Sequence, residues 1–370
     1  MNPDWTRYQR QLQLPRFGAR AQQRLASARV LVAGCGALGT VVCEQLARAG
    51  IGTITIVDRD LVELSNLQRQ TLFTEQDARR AVPKAEAAKA RLTAVNATVA
   101  VRAFVDDLHA GNARRYAEAC DLIVDCLDNF ETRYLLNDCA VDLRIPLVYG
   151  GAVGMQGMAA ALLPHGERFG HGAIRWSDAR STPCLRCLAP EPPAPGEVAT
   201  CDTAGILGPV AGIVASIEAG LALRLIAEDA DDVPAELVRL DFARLAFSNA
   251  SIADARDAAC VCCALRRFDF LAQQGGDKPW RVLCGRNAVE IRLGAAAADA
   301  SAFARIESQL RAAGSVASSV HGDTRVLRAE LAGGTAISVL AGNGASILAI
   351  VDGTSDPEQA RSIVARCIGV

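Results

Sequence analysis

The sequence has no surplus of either charge: 39 Lys and Arg stand against 41 Asp and Glu, a formal net of −2. A general electrostatic attraction to nucleic acid or to an anionic membrane is therefore not expected. Aromatic residues are scarce at 5%, while Ala, Val and Leu dominate a hydrophobic share of 51%. That composition suits a helix-rich α/β protein with ample core. The opening stretch MNPDWTRYQRQ is polar and lacks the apolar region of a secretion signal. Long uninterrupted hydrophobic runs are missing too. The most membrane-like segment, residues 204–223, carries Pro209, Glu218 and several glycines and reads as a buried or interface helix. Histidine is limited to His109, His165, His171 and His321, so an imidazole base has few candidates. Cysteine, by contrast, occurs 13 times. With no secretion signal the expected setting is a reducing cytoplasm, where paired cysteines hold metal more often than they form disulfides.

Residues 29–60, RVLVAGCGALGTVVCEQLARAGIGTITIVDRD, organise what is present. An apolar run (30–33) short enough for a buried strand leads into Gly34, Gly36 and Gly39 in G-x-G-x-x-G order. A helical pattern follows (Leu38, Val41, Val42, Leu46), then a second strand (53–57) that ends at Asp58. In such a unit the first glycine permits the tight turn, the second lets phosphate approach the backbone, and the third lets helix and strand pack closely. The helix N-terminus at Ala37 offers free N–H groups to a phosphate, and Asp58 would accept from ribose hydroxyls. The unit says nucleotide without saying which. Dehydrogenases, methyltransferases and ATP-using enzymes share it, so an NAD-dependent oxidoreductase stays open at this point.

Strands and helices alternate from 29 to 150, which predicts a doubly wound, Rossmann-like parallel sheet of the α/β class. Its ligand crevice lies beyond the carboxyl ends of the strands, where Asp58, Asp60 and Asp128 fall. The region preceding it, 1–28, reads as an N-terminal helix. Strands at 151–163, a helix from about 204 to 227 and strands at 237–240 and 245–247 continue the same unit to 272. A composition break at 273–279 reads as a linker. Residues 280–370 then alternate strand runs (289–293, 325–331, 336–340, 347–351) with helices (302–313, 357–367), a small C-terminal α+β domain.

The cysteines carry the most specific spacing. Cys184 and Cys187 enclose two residues, as do Cys260 and Cys263. Two such pairs can set four thiolates around one Zn²⁺, a closed tetrahedron with no position left for water and hence a structural site. Spacing selects Cys263 over Cys262, which is expected to point away. Asp128 stands between a strand end and a helix start, where it could hold Mg²⁺ against a triphosphate, with Asn129 beside it as the helix cap. Arg69 and Lys84 become transition-state clamps only with a phosphate nearby. Cys201 follows a proline-rich loop and precedes a helix, which makes it a nucleophile candidate without a neighbouring histidine.

Taken together these residues resemble the ThiF/MoeB family, bacterial relatives of ubiquitin-activating enzymes, over roughly residues 5–265. The resemblance rests on Arg7-Tyr8-x-Arg10-Gln11, the Gly34 turn, Asp58-x-Asp60, the hexapeptide Ser65-Asn66-Leu67-Gln68-Arg69-Gln70, Pro83-Lys84, Asp128-Asn129 with Arg133, the two cysteine pairs and Cys201. Dehydrogenases do not carry the hexapeptide. The resemblance implies adenylation of the C-terminal Gly-Gly carboxylate of a small ubiquitin-like sulfur-carrier protein with Mg-ATP, releasing pyrophosphate. It places the ribose on Asp58, the phosphates at Gly36 and Ala37, the triphosphate on Asn66, Arg69 and Lys84, and Mg²⁺ on Asp128. It further implies a homodimer in which Arg10 reaches the partner's site, carrier binding and zinc in 151–272, and a sulfur donor in trans such as a cysteine desulfurase or rhodanese. Cys201 matches a cysteine that is covalently used in some members and dispensable in others. Two departures stand out. Ala81 replaces the glycine usual three residues before the lysine, and residues 280–370 lack a rhodanese loop, since Leu283-Cys284-Gly285-Arg286-Asn287 is not one. The tail resembles a small extra domain of some members, with carrier docking one possible role for it. An oxidoreductase and a non-catalytic ATP-binding adaptor remain the competing readings, the first separable by NADH binding without magnesium, the second by binding without pyrophosphate release.

Overall fold

The computed structural model describes residues 5–369 apart from 167–173, 194–196, 198–200, 229–231, 273–279, 284–286, 294–299, 332 and 343–346. The expected linker and Cys284 thus lie outside the described residues.

Strand β1 (Arg29–Ala33) is apolar on both faces. Val30 and Val32 belong to one buried cluster, Leu31 and Ala33 to another, because successive side chains of a strand point to opposite sides. A strand covered twice belongs inside a parallel sheet between helix layers. β2 (Thr53–Val57) and β3 (Ala100–Phe104) extend the sheet on one side, and β4 (Leu122–Asp125) and β5 (Leu147–Val153) on the other. All these pairs are parallel. β6 (Gln156–Leu162), β7 (Glu236–Asp241) and β8 (Ala246–Ser251) then add antiparallel, giving the order β3-β2-β1-β4-β5-β6-β7-β8. The parallel sheet expected from the alternation is therefore the larger half of a mixed one.

The N-terminal region is not one helix. A one-turn α1 (Gln9–Leu12) and α2 (Ala19–Ser27) are separated by a segment that holds Pro15 and Gly18, a ring that removes a backbone donor and a residue with no side chain to favour helix. Helix α3 (Ala37–Ala49) stops at Gly50, whose φ of +85° suits a residue without Cβ. A short helix absent from the sequence reading, α4 (Glu75–Arg79), is opened by Thr74 and Asp77 in a reciprocal capping box. α5 (Lys84–Val95), α6 (Ala113–Glu118) and α7 (Phe130–Leu143) follow their patterns. A single turn, α8 (Leu185–Leu188), starts directly after Cys184 and carries Cys187. The helix expected from about 204 begins four residues later, after a separate single turn. α9 (Cys201–Ala204) ends at Gly205, which takes φ +72°, and α10 (Gly208–Ala227) begins after it. Among the described helices α10 alone is long and apolar enough to cross a membrane, yet 56% of that window is buried against the protein, on α3, β5 and β6.

The C-terminal part is a second, wholly antiparallel sheet of six strands. In chain order these are β9 (Trp280–Leu283), β10 (Ala288–Leu293), β11 (Ser315–His321), β12 (Thr324–Glu330), β13 (Ala336–Ala341) and β14 (Ile347–Asp352). Helices α11 (Ala300–Ala313) and α12 (Pro357–Ile368) cover one face, on Val289, Leu327, Val339 and Val351. The other face packs on the first unit, since Val326, Leu340 and Ile350 share a cluster with Ala85, Ala88 and Leu92 of α5.

Candidate functional site

β1, β2 and β4 end side by side, and the chain order reverses between β1 and β4, so a crevice opens where ligands bind in such sheets. The glycine turn forms its floor. Gly34 has φ +87°, and a Cβ there would meet the Cys126 carbonyl oxygen at 2.8 Å. Gly39 abuts the Gly34 carbonyl, which holds α3 against the turn. Gly36 is different: the nearest atom to a Cβ there is Gln70 Nε2 at 3.8 Å, so the approach is open. No side chain caps α3, and its first N–H groups are left for an anion. The buried Gln70 also has a side-chain oxygen without a hydrogen-bond partner.

Asp58 sits at the tip of β2, and each oxygen accepts a backbone N–H, Oδ2 from Cys35 (2.6 Å) and Oδ1 from Asp60 (2.8 Å). Burial pushes its carboxyl up to about 6, against the pull of Lys84 and with Asp60 adding to the rise. Lys84 opens α5, and its Nζ donates to Asp60 Oδ2 at 2.7 Å while its backbone N–H donates to the Asp60 carbonyl at 2.8 Å. Burial works to lower the Lys84 ammonium, but Asp60 and Asp58 outweigh it and hold it above its ordinary range. Asp128 is exposed at the crevice, near enough to Lys84, Arg59 and Arg133 to favour their charged forms. Asn129 caps α7 by accepting from the Thr132 N–H at 2.9 Å, as expected.

Apart from Arg133, several contributors to this arrangement were not anticipated. Asp125 Oδ1 accepts from the Leu127 N–H at 3.0 Å, and Arg133 donates to the Leu127 carbonyl and to Gly150 O. Leu127 is thus held through both its N–H and its carbonyl immediately before Asp128. Glu218 of α10 is fully buried against Gly150, with neither carboxyl oxygen hydrogen-bonded. Burial and the nearby Asp125 push it well above the usual carboxylate range despite Arg133. Arg59 links Asp107 (2.9 Å), Glu290 (3.5 Å) and Asp60 (3.9 Å). Its position between two acids at a strand tip was the available signal.

The hexapeptide residues are placed less directly. Asn66 Oδ1 accepts from the Glu63 N–H, Arg69 Nη1 donates to the Ser65 carbonyl at 3.0 Å, and Ser65 is exposed. These bonds shape a 3-10 turn, residues Leu64–Asn66, beside the crevice. Arg10 is remote from it. The neighbouring Gln11 donates to Ala49 O and Tyr8 OH accepts from Asn96, which puts α1 beside the C-terminal ends of α3 and α5, at the end of the strands opposite the crevice. Cys201 starts α9, and its side chain lies outside the described part. Ala81 adopts φ +48°, the conformation for which glycine is favoured.

The two cysteine pairs converge. Cys184, Cys187, Cys260 and Cys263 place their Sγ atoms within 4.8 Å of one another, with separations of 4.0, 3.7 and 3.4 Å for 184–187, 184–260 and 187–263. Four thiolates around an ion at about 2.3 Å stand about 3.8 Å apart, so the set can hold a metal ion. Cys262 is not one of the set, but it does not point away as expected: buried beside it, its sulfur interacts with Cys184 and accepts from Asn137 Nδ2 at 3.4 Å. Asn137 also accepts from the Leu185 N–H at 2.8 Å, which ties the cluster to α7.

Known proteins share this architecture. The ThiF family model matches residues 8–262. The chain is 41% identical over 287 residues to the sulfur carrier protein ThiS adenylyltransferase of Bacillus subtilis, covering 77% of this chain and 79% of that protein. It is 38% identical over 257 residues to the sulfur carrier protein adenylyltransferase of Thermus thermophilus, covering 70% and 90%. A crystal structure of E. coli MccB with ATP superposes with a TM-score of 0.57 at 21% identity, covering 70% of this chain and 75% of that one. Matched by the family over most of its length and by such relatives over most of theirs, the chain belongs to the ThiF family.

Proposed function

We propose that the chain is an ATP-dependent adenylyltransferase that activates the C-terminal Gly-Gly carboxylate of a ubiquitin-like sulfur-carrier protein. One observation carries the reading: an uncapped helix N-terminus with open approach at Gly36, the Lys84–Asp60 pair and the exposed Asp128 stand on neighbouring strand ends. The names of the two bacterial relatives agree with it.

In the proposed reaction a carrier carboxylate oxygen attacks the α-phosphorus of ATP. A new O–P bond forms, the P–O bond to the β-phosphate breaks, and pyrophosphate leaves. The nucleophile is already an anion, so no general base is needed, and a crevice without histidine is adequate. Two anions must be brought together, and most of the acceleration comes from positioning and from cations. Asp58 receives the ribose hydroxyls. The amides at Gly36 and Ala37 meet the phosphates. Lys84, Asn66 and Arg69 grip the triphosphate, with Arg69 first leaving its carbonyl on the Ser65 turn. Asp128 would hold Mg²⁺, which when bound neutralises phosphate charge. Arg10 serves the partner's crevice in a homodimer. The four cysteines would hold Zn²⁺ as a structural brace, and Cys201 is the candidate for a later acyl transfer, in which its sulfur would bond to the acyl carbon while the acyl–phosphate bond breaks and AMP leaves. A sulfur donor, desulfurase or rhodanese, acts in trans, and the setting is cytoplasmic. The chain divides at 272 and 280, with the intervening residues as linker.

The test is ATP–pyrophosphate exchange with labelled pyrophosphate, with and without a carrier ending in Gly-Gly. Exchange that requires the carrier and falls about a hundredfold or more in Asp128→Ala is the expected result. Binding of ATP and carrier without exchange would overturn the proposal.

A further inference from the structure

The C-terminal sheet touches the first unit at two separate places, and both lead to the same ion pair. The first is the tip of β2. Arg59 stands between Asp58 and Asp60 in sequence, and its guanidinium lies in a buried group of charges: its Nη1 meets Asp107 at 2.9 Å, and its Nε meets Glu290 of β10 at 3.5 Å and Asp60 at 3.9 Å. Glu290 is only 3% exposed. From the same sheet Arg281 of β9 reaches the other oxygen of Asp107 at 2.9 Å and Glu131 at 2.9 Å. The turn that presents Asp58 and Asp60 to the crevice is therefore anchored through Arg59 to a carboxylate supplied by the other sheet.

The second place is the start of α5, two residues beyond Lys84. Glu86 is buried and accepts from Thr324 Oγ1 at 3.3 Å and from the Asp323 N–H. A Cβ at Gly322, where φ is +57°, would run into this carboxylate. Lys89, one turn on, pairs with Asp323 at 3.4 Å. The β11–β12 hairpin thus holds the first turns of the helix that carries Lys84. Asp60 is held from one side and Lys84 from the other, and the two meet at 2.7 Å.

We infer that the C-terminal sheet is a working part of the nucleotide crevice, in which Glu290 and Glu86 are positioning residues that set the Asp60–Lys84 pair, so that docking of this sheet and occupancy of the crevice are thermodynamically coupled. Coupling of this kind is reciprocal. The sheet contributes no group that touches the nucleotide. Its effect falls on binding, through the geometry of Asp58, Asp60 and Lys84, and the chemical step keeps its own residues. This rests on the reading of the crevice as an ATP site.

The experiment uses the full chain at about pH 8, where a carboxyl such as Glu290 is ionised, and titrates it with ATP and Mg²⁺. Glu290→Gln and Glu86→Gln are each expected to weaken ATP about fivefold or more, with thermal midpoints close to wild type. In wild type, ATP should slow amide hydrogen exchange in β9, β10 and the β11–β12 turn, and this protection should shrink in both variants. A merely structural contact would lower stability and leave affinity and protection unmoved. If the first variant fails to fold, the second carries the measurement. Wild type that binds ATP with affinity unchanged in the variants overturns the coupling alone. Wild type that binds no ATP overturns the crevice reading and the coupling with it.

Discussion

The metal proposed for the four-cysteine cluster offers, through its removal, the most direct physical test of the fold. The pairs are distant in sequence: Cys184 and Cys260 are 76 residues apart and their sulfurs 3.7 Å apart. An ion bound to both closes that loop in the unfolded ensemble. The chain-entropy relation for a cross-link gives about 4.5 kcal/mol for a loop of this length. The apolar cluster around the site is small, the cysteines with Val141, Ala264 and Phe268, and besides the ion the two segments are joined by the Arg186–Asp269 pair at 3.1 Å. For a cooperative unit of this size the loss corresponds to a fall of roughly 10 °C in the thermal midpoint. The assay pairs metal content by mass spectrometry with thermal unfolding before and after a strong chelator. One equivalent of zinc per chain is expected, lost on chelation together with that fall. Cys263→Ser should lose the metal, whereas Cys262→Ser should retain it. A chain purified with no stoichiometric metal, or one stripped without any change in midpoint, would refute the reasoning.

Other outcomes follow from single residues. Ala81 occupies a left-handed conformation at φ +48°. Replacing it by glycine relieves about 1–2 kcal/mol of strain and gives most of it back through a freer unfolded chain and a lost buried methyl. Ala81→Gly is thus expected to lie within about 1 kcal/mol of wild type in urea unfolding, and Ala81→Val to be clearly destabilised. Burial pushes Glu290 up to about 7, with Arg59 opposing and Asp107 adding to the rise. Its folded value lies above its unfolded one, near 4.3, so its contribution to stability is full below about pH 4 and is lost as pH rises through about 7. The stability of wild type relative to Glu290→Gln, measured by denaturant unfolding across that window, should decline with pH, and a rise would contradict the sign.

Local signals were legible wherever a short stretch dictates its own geometry. The Gly34 turn, the Asn129 cap and the choice of Cys263 over Cys262 each follow from a few neighbouring residues, and the structure has all three. Thr74 and Asp77 were legible too, since their three-residue spacing is that of a capping box, although α4 was not read from them. Breaks were harder. The helix read from about 204 starts only at Gly208, because the positive φ of Gly205 leaves no trace in periodicity. β11 was missed for a different reason. Its seven residues, Ser-Val-Ala-Ser-Ser-Val-His, are largely exposed and carry little apolar alternation. The buried charges were least legible of all. Arg59 and Glu290, or Asp125 and Arg133, are ordinary surface residues in sequence until the fold buries them together.

The contact between Glu86 and Thr324 joins residues 238 positions apart, and this has a bearing on how the protein is made. During synthesis the glycine turn, Asp58, Lys84 and Asp128 all emerge early, and the five parallel strands can pair before the rest of the chain is available. The groups that hold the Asp60–Lys84 pair from outside emerge among the last. A nascent chain therefore carries its crevice residues for most of its synthesis without the sheet that braces them. Domains form in the order they leave the ribosome, and in this chain the final ninety or so residues complete a site whose own residues were translated first.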